Sequence, residues 1–186
     1  MSIILASQSP RRKELLGYIT ENFTVKVSDV EEVTDTAQSP EEIVISLARI
    51  KGEAVFADNK SDTVISADTV VVLDGKILGK PHSREEAYEM LSSLSGRTHT
   101  VFTGVCVFSQ DKVFSFAEKT QVQFCPLTEN DINAYIETGE PFDKAGAYGI
   151  QGKGCVLVEG IVGDYYNVMG LPVAHLCRLL KENSLI

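Results

Sequence analysis

The sequence predicts an α/β protein built as an elongated mixed sheet with flanking helices and a cleft between two lobes. Three observations lead there. Short apolar, β-branched runs alternate with capped helical segments through the first half of the chain. Two long strand-like runs, residues 98–108 and 113–124, flank Gln110-Asp111-Lys112 as the arms of an antiparallel hairpin. The chain is also long enough, at 186 residues with 44% hydrophobic side chains, to bury a proper core as a single domain, 1–186.

The elements follow in order. Residues 2–5 are a short apolar strand. Ser9 is a good N-cap and Pro10 suits the first helical position, so a helix runs over 10–16 and Gly17 ends it. Residues 23–27 alternate as a strand does. Ser39-Pro40-Glu41-Glu42 is a capping box that opens a long helix through Ile43, Leu47, Ile50 and Val55. Residues 63–73 form an apolar strand, interrupted at Ala67-Asp68-Thr69. Asp74-Gly75 is a hairpin turn into a strand over 76–78. Ser83, with Glu86 three residues on, caps a helix to Leu94, which Gly96 closes. After the long hairpin, Thr128 caps a helix that Gly139 stops. A glycine-rich stretch spans 145–154, a strand spans 155–158, and a last helix spans 172–181.

Composition excludes several classes. The formal net charge of −9, with a pI near 4.8, argues against binding nucleic acid or an anionic membrane. No apolar run approaches the ~20 residues that cross a bilayer, and no signal peptide is visible. Cys106, Cys125, Cys155 and Cys177 are far apart in the chain. They read as buried thiols of a cytoplasmic protein, not as a zinc site or disulfide framework.

The start of the first helix stands out. Ser7-Gln8-Ser9-Pro10 runs straight into Arg11-Arg12-Lys13. Cations in a first turn oppose the helix dipole, so helix stability does not explain them. An anion bound at the turn does, most simply a phosphate chain. Asp68 is the second candidate. A carboxylate inside Val64 to Val72 is costly to bury without a cation or donors, which suits a metal ligand or a general base. Thr69 points to the opposite face of that strand. Glu31 and Glu32 follow the second strand, and a second acid beside Asp68 gives a hard-oxygen site for Mg²⁺ or Mn²⁺. Lys51 lies in the long helix and Lys80 in Leu78-Gly79-Lys80-Pro81.

Familiar nucleotide motifs are absent. Gly75 to Lys80 has three residues between its glycines where a P-loop has four, and proline follows the lysine. The run from Gly146 to Gly154 lacks the dinucleotide spacing, but Gln151 there offers an amide that can read a base edge. His82 and His99 have no partner at metal-ligand spacing, and His175 reads as structural. There is no G-x-S-x-G elbow, and Cys177 inside a helix is a poor nucleophile. Hydrolysis here would use a metal-activated water.

Taken together, Leu5-Ala6-Ser7-x-Ser9-Pro10-Arg11-Arg12-x-x-Leu15-Leu16, Ser66-Ala67-Asp68-Thr69-Val70, Leu78-Gly79-Lys80-Pro81 and Asp143 to Gly152 resemble the Maf family of nucleoside triphosphate pyrophosphatases over essentially the whole chain. The resemblance implies an inosine triphosphatase-like fold. It also implies Mg²⁺- or Mn²⁺-dependent cleavage of a nucleoside triphosphate to the monophosphate and pyrophosphate, by a homodimer. By position it puts Ser7, Arg11 and Arg12 in a phosphate-binding turn, and Lys51 and Lys80 along the cleft. Asp68 becomes the proton acceptor, and Glu32 an acid that shares the metal with it. Arg12, Thr69 and Gln151 match the set of the dTTP- and UTP-cleaving subgroup. Glu31-Glu32 departs from the Asp-Glu of many relatives. Two other readings stay open on the sequence: a pyrophosphatase for 7-methyl-GTP or another purine triphosphate, and a non-catalytic nucleotide sensor in cell division or septation.

Overall fold

The computed structural model of the chain describes residues 2–27, 30, 38–110 and 112–186. Strands β1 (Ile3–Leu5), β2 (Phe23–Val25), β3 (Thr63–Leu73), β4 (Lys76–Leu78), β5 (Thr98–Ser109), β6 (Lys112–Phe124) and β7 (Val158–Val162) form one mixed sheet. Its order is β2-β1-β3-β5-β6-β7, with β4 also paired to β3. The helices are α1 (Pro10–Gly17), α2 (Pro40–Ala57), α3 (Arg84–Leu94), α4 (Glu129–Glu137), α5 (Tyr165–Met169) and α6 (Val173–Glu182). The single domain expected from the sequence is organised as two compact units. The first holds Met1–Thr69, Thr103–Glu118 and Gly170–Ile186, and the second Val70–Phe102 and Lys119–Met169.

In the first unit, β1 lies parallel to both β2 and β3, with Leu5 opposite Ile65. Parallel strands need covered faces, and the burial of Thr63 through Asp68 meets that need. Helix α2 covers one face. Ile4, Ala6, Val64, Cys106 and Phe108 pack with Ala48, Val55 and Phe56 there. Its capping box is complete, with Ser39 and Glu42 each accepting from the other's backbone. The helix comes so close to β5 that a Cβ on Gly104 would lie 2.4 Å from the Val44 carbonyl carbon. The Ser66 hydroxyl ties the same face by donating to the Ala48 carbonyl at 2.6 Å.

The second unit has its own core. Val71, Leu73, Val101, Val122 and Phe124 of the sheet pack with Ala87, Leu91 and Leu94 of α3, and with Ile132, Tyr135 and Ile136 of α4. The β3–β4 hairpin turns on Asp74 and Gly75, both at positive φ (50° and 76°), as a tight two-residue turn requires. His99 is buried between the edges of Phe124 and Tyr148, with Nε2 at 2.7 Å from the Tyr148 hydroxyl. Burial pushes its pKa down to about 4.

Several expectations need correction. Gly17 is the last residue of α1, because the chain leaves the helix through Tyr18 in a right-handed conformation. The second strand stops at Val25. Strand β3 is continuous through Ala67-Asp68-Thr69, since a partner for Asp68 removes the reason for a break. Residues 155–157 belong to the 3-10 segment Gly152–Leu157, so β7 begins only at Val158. Helix α5 went unforeseen; the Asp164 carboxylate starts it by accepting from the Tyr166 N–H at 2.8 Å. Of the four free thiols only Cys106 is buried, and Cys155 is exposed.

Candidate active site

Strand β1 ends at Leu5 while β3 runs on, so Asp68 and Thr69 lie beyond the end of β1. The chain turns there through Ser7 to Ser9 into α1. Ser9 is the N-cap, accepting from the Arg12 N–H at 3.4 Å, and Pro10 fills the first turn. The Ser7 hydroxyl oxygen accepts from the Ser9 N–H at 3.2 Å and faces Arg12 Nη1 at 3.5 Å. Its one hydroxyl proton is thereby directed away from the turn's own amide. No acid stands in the first turn of α1, which leaves the charge of Arg11, Arg12 and Lys13 and the helix dipole acting together on any anion above it.

The Arg12 side chain is held at two nitrogens. Its Nε donates to the Gly170 carbonyl at 2.8 Å, and its Nη2 to the Thr69 hydroxyl at 2.9 Å. Thr69 Oγ1 lies 2.9 Å from Thr103 Oγ1, and Thr103 is fully buried. The planar guanidinium is thus fixed in direction by bonds at separate nitrogens, which a lysine could not reproduce. Arg11, half-buried, precedes it in the same turn.

Alternation along β3 separates two chemistries. Ser66 and Asp68 face α2, and Thr69 faces the arginine. On the α2 side, Lys51 Nζ donates to Asp68 Oδ1 at 2.5 Å. Asp68 is only 8% exposed, and the two side chains keep 22% and 12% of their exposure. Lys51 is therefore not the solvated lysine that its helix position alone suggests. It neutralises a carboxylate that the apolar strand would otherwise disfavour. A hard cation takes carboxylate oxygen, and Asp68 fits as a donor: its Oδ1 already holds a cationic group, and its second oxygen is the one to offer a metal. Glu31 and Glu32, the latter the second acid of the expected site, lie outside the described residues. Among the described residues no three His, Cys, Asp or Glu side chains gather.

The structure thus brings Ser7, Arg12 and Thr69 into one hydrogen-bonded group and Lys51 with Asp68 into another, at adjacent positions of β3. Lys80 and Gln151 belong to the second unit. Lys80 is exposed just after β4, and Gln151 is half-buried before the turn Gly152–Leu157. Sequence reasoning missed Thr103 and Gly170, the partners that orient Arg12 and Thr69. A threonine beside glycine in the buried run Phe102-Thr103-Gly104 was the one available signal. His175 stacks on Phe116 at 3.8 Å and meets Glu118 at 3.2 Å, a surface packing role in keeping with a structural reading.

Comparison of sequences shows one family. Residues 2–183 match the family described as Maf-like protein. A protein of Bacillus velezensis named dTTP/UTP pyrophosphatase is 55% identical over 97% of this chain and 95% of its own. One of Bacillus cereus with the same name is 52% identical over 97% and 94%. Among solved structures, the Ham1 protein of Staphylococcus aureus matches with a TM-score of 0.58 at 16% identity, covering 98% of this chain and 100% of that one. A HAM1 protein from Coxiella burnetii matches with a TM-score of 0.55 at 14% identity, covering 97% and 98%. The structural likeness carries the fold, which agrees with the inosine triphosphatase-like architecture that the motifs imply.

Proposed function

The chain belongs to the Maf family, and from that premise and the geometry of its basic turn we propose that it is a nucleoside triphosphate pyrophosphatase acting on dTTP and UTP. It would release pyrophosphate and leave the nucleoside monophosphate. The observation that carries this reading is the Arg12 guanidinium, fixed by Gly170, Thr69 and Ser7 at the start of a helix with no acid in its first turn. A pre-oriented cation at a helix N-terminus is built for phosphate oxygens. The names of the 52–55% identical relatives support the pyrimidine choice, as does the trio Arg12, Thr69 and Gln151.

The residues divide the work. Ser7 and Arg11 hold the triphosphate at the positive end of α1, and Arg12 and Thr69 fix its direction. Asp68 accepts the proton of a water attacking the α-phosphate in line, and Lys51 holds that carboxylate in place through Oδ1. Lys51 and Lys80 then stand against the negative charge that grows on the departing pyrophosphate. A divalent cation, Mg²⁺ or Mn²⁺, held by Asp68 and Glu32 would supply charge neutralisation on the phosphates and a more acidic water. The reading goes with a cytoplasmic protein, where four thiols free of disulfides stay reduced. It also goes with a homodimer, which light scattering would register. Its partner is the small nucleotide, a choice that the net charge of −9 favours over nucleic acid or an anionic membrane.

The test is a panel of dTTP, UTP, CTP, GTP and 7-methyl-GTP with Mg²⁺, with pyrophosphate and orthophosphate measured separately. Pyrophosphate from dTTP and UTP is expected. Orthophosphate as the product would overturn the reading, a preference for 7-methyl-GTP would move the substrate class, and tight binding without turnover would favour a sensor. Asp68→Asn should lower kcat by more than about 10²-fold while calorimetry still detects the nucleotide; an unchanged rate would remove Asp68 from the chemistry.

A further inference from the structure

The run Gly149-Ile150-Gln151-Gly152-Lys153-Gly154 has the composition of a phosphate cradle, but three of its amides are used within the protein. The Gly149 N–H donates to the Tyr135 hydroxyl at 3.1 Å. The N–H groups of Lys153 and Gly154 donate to the two oxygens of the Glu140 carboxylate, at 3.0 Å and 3.3 Å. The charge of Glu140 also lies close to the Tyr135 hydroxyl. Burial, with Glu140 adding to it against the Gly149 N–H, pushes that hydroxyl up to about 12, so it accepts the Gly149 N–H as a neutral hydroxyl. Glu140 is anchored in turn: the Lys144 ammonium donates to its backbone carbonyl at 2.6 Å.

The glycines fit this arrangement. Gly152 has φ +64°, and a Cβ there would lie 2.8 Å from Glu140 Oε1; a Cβ on Gly154 would lie 2.2 Å from the Gly149 carbonyl oxygen. The segment therefore closes on itself, with Gln151 carried between amides pinned on either side. A carboxylate accepting two consecutive N–H groups occupies the position that an anionic ligand would take in a glycine-rich loop. Gly152 and Gly154 thereby shape a turn closed on Glu140.

We propose that Glu140 and Tyr135 are positioning residues for base selection, fixing the turn that presents Gln151 to the nucleobase. The inference rests on the proposed pyrophosphatase reading. A glutamine amide both donates and accepts, and the edges of thymine and cytosine carry reversed donor and acceptor patterns. A turn held on both sides gives the amide one reach toward the base, whereas a loosened turn lets it meet either pattern.

The experiment measures kcat and KM on dTTP and CTP for the wild type, Tyr135→Phe, Glu140→Gln, Gln151→Ala, and Gln151→Ala combined with each of the other two. Tyr135→Phe removes one hydroxyl and keeps the ring, so it answers even where Glu140→Gln folds poorly. Each positioning variant should raise KM for dTTP roughly tenfold with kcat nearly unchanged, and lower the preference for dTTP over CTP toward that of Gln151→Ala. In the Gln151→Ala background neither should change that preference further. Equal losses on dTTP and CTP, or effects fully additive with Gln151→Ala, in a variant that melts at the wild-type temperature would overturn the proposal. A wild type that turns over no nucleotide overturns the pyrophosphatase reading, and a Gln151→Ala enzyme with wild-type preference overturns the role of Gln151; either result takes the inference with it.

Discussion

At the scale of single residues, the account turns on how two charges are kept in place. Arg12 is bonded at Nε and Nη2 by Gly170 and Thr69, so its direction comes from the fold. Arg12→Lys keeps the charge and loses the fork. It should raise KM for dTTP at least about tenfold, read from steady-state kinetics, with little change in melting temperature; an unchanged KM would mean that the charge alone matters. Asp68 depends on Lys51, whose ammonium lies 2.5 Å from Oδ1. Lys51→Met leaves a carboxylate in an apolar strand with its partner gone. The pair keeps some solvent, so the loss should be about 2 kcal/mol, below that of a fully buried pair, and urea unfolding would register it.

At the scale of elements, α2 approaches β5 at backbone distance. Gly104 sits against the backbone of Val44, where no side chain can swing aside. Gly104→Ala should therefore cost about 2–3 kcal/mol, measured by denaturant unfolding, and a neutral result would mean that the helix can ride outward. This contact also marks how far the sequence could be read. The capping box at Ser39, the cap at Thr128, the Asp74-Gly75 turn and the long hairpin were all legible, because local chemistry decides them. So were the basic turn and Asp68, since a charge against a helix dipole or inside an apolar strand needs a reason. The pairing of Lys51 with Asp68, the support of Arg12 by Thr103 and Gly170, and the seat of Glu140 under Lys153 and Gly154 were not. Each joins residues distant in sequence, and polar side chains of that kind look solvated until the fold brings them together. The 3-10 segment at Gly152–Leu157 hid for a related reason: its glycines obey a carboxylate thirteen residues upstream, from Glu140 to Lys153.

At the scale of the whole molecule, stability should fall in mild acid. His99 is neutral in the fold, with a pKa of about 4 against an ordinary 6.5. Below pH 6.5 the unfolded chain takes up a proton that the folded chain refuses, so the stabilisation present above that pH is lost progressively until pH 4. Between pH 7 and pH 5 this group accounts for about 2 kcal/mol. The midpoint of urea unfolding should drop over that range, and His99→Phe should flatten the dependence; equal slopes in the two proteins would assign acid sensitivity to other groups. The larger claim is that an acidic protein carries one local basic turn to hold a nucleotide's phosphates while Asp68 directs water at the α-phosphorus. Its most direct test is hydrolysis of dTTP in ¹⁸O-labelled water with Mg²⁺, followed by mass spectrometry of both products. The account predicts one labelled oxygen in dTMP and unlabelled pyrophosphate. Label in pyrophosphate or in orthophosphate would place the attack at another phosphorus and contradict it.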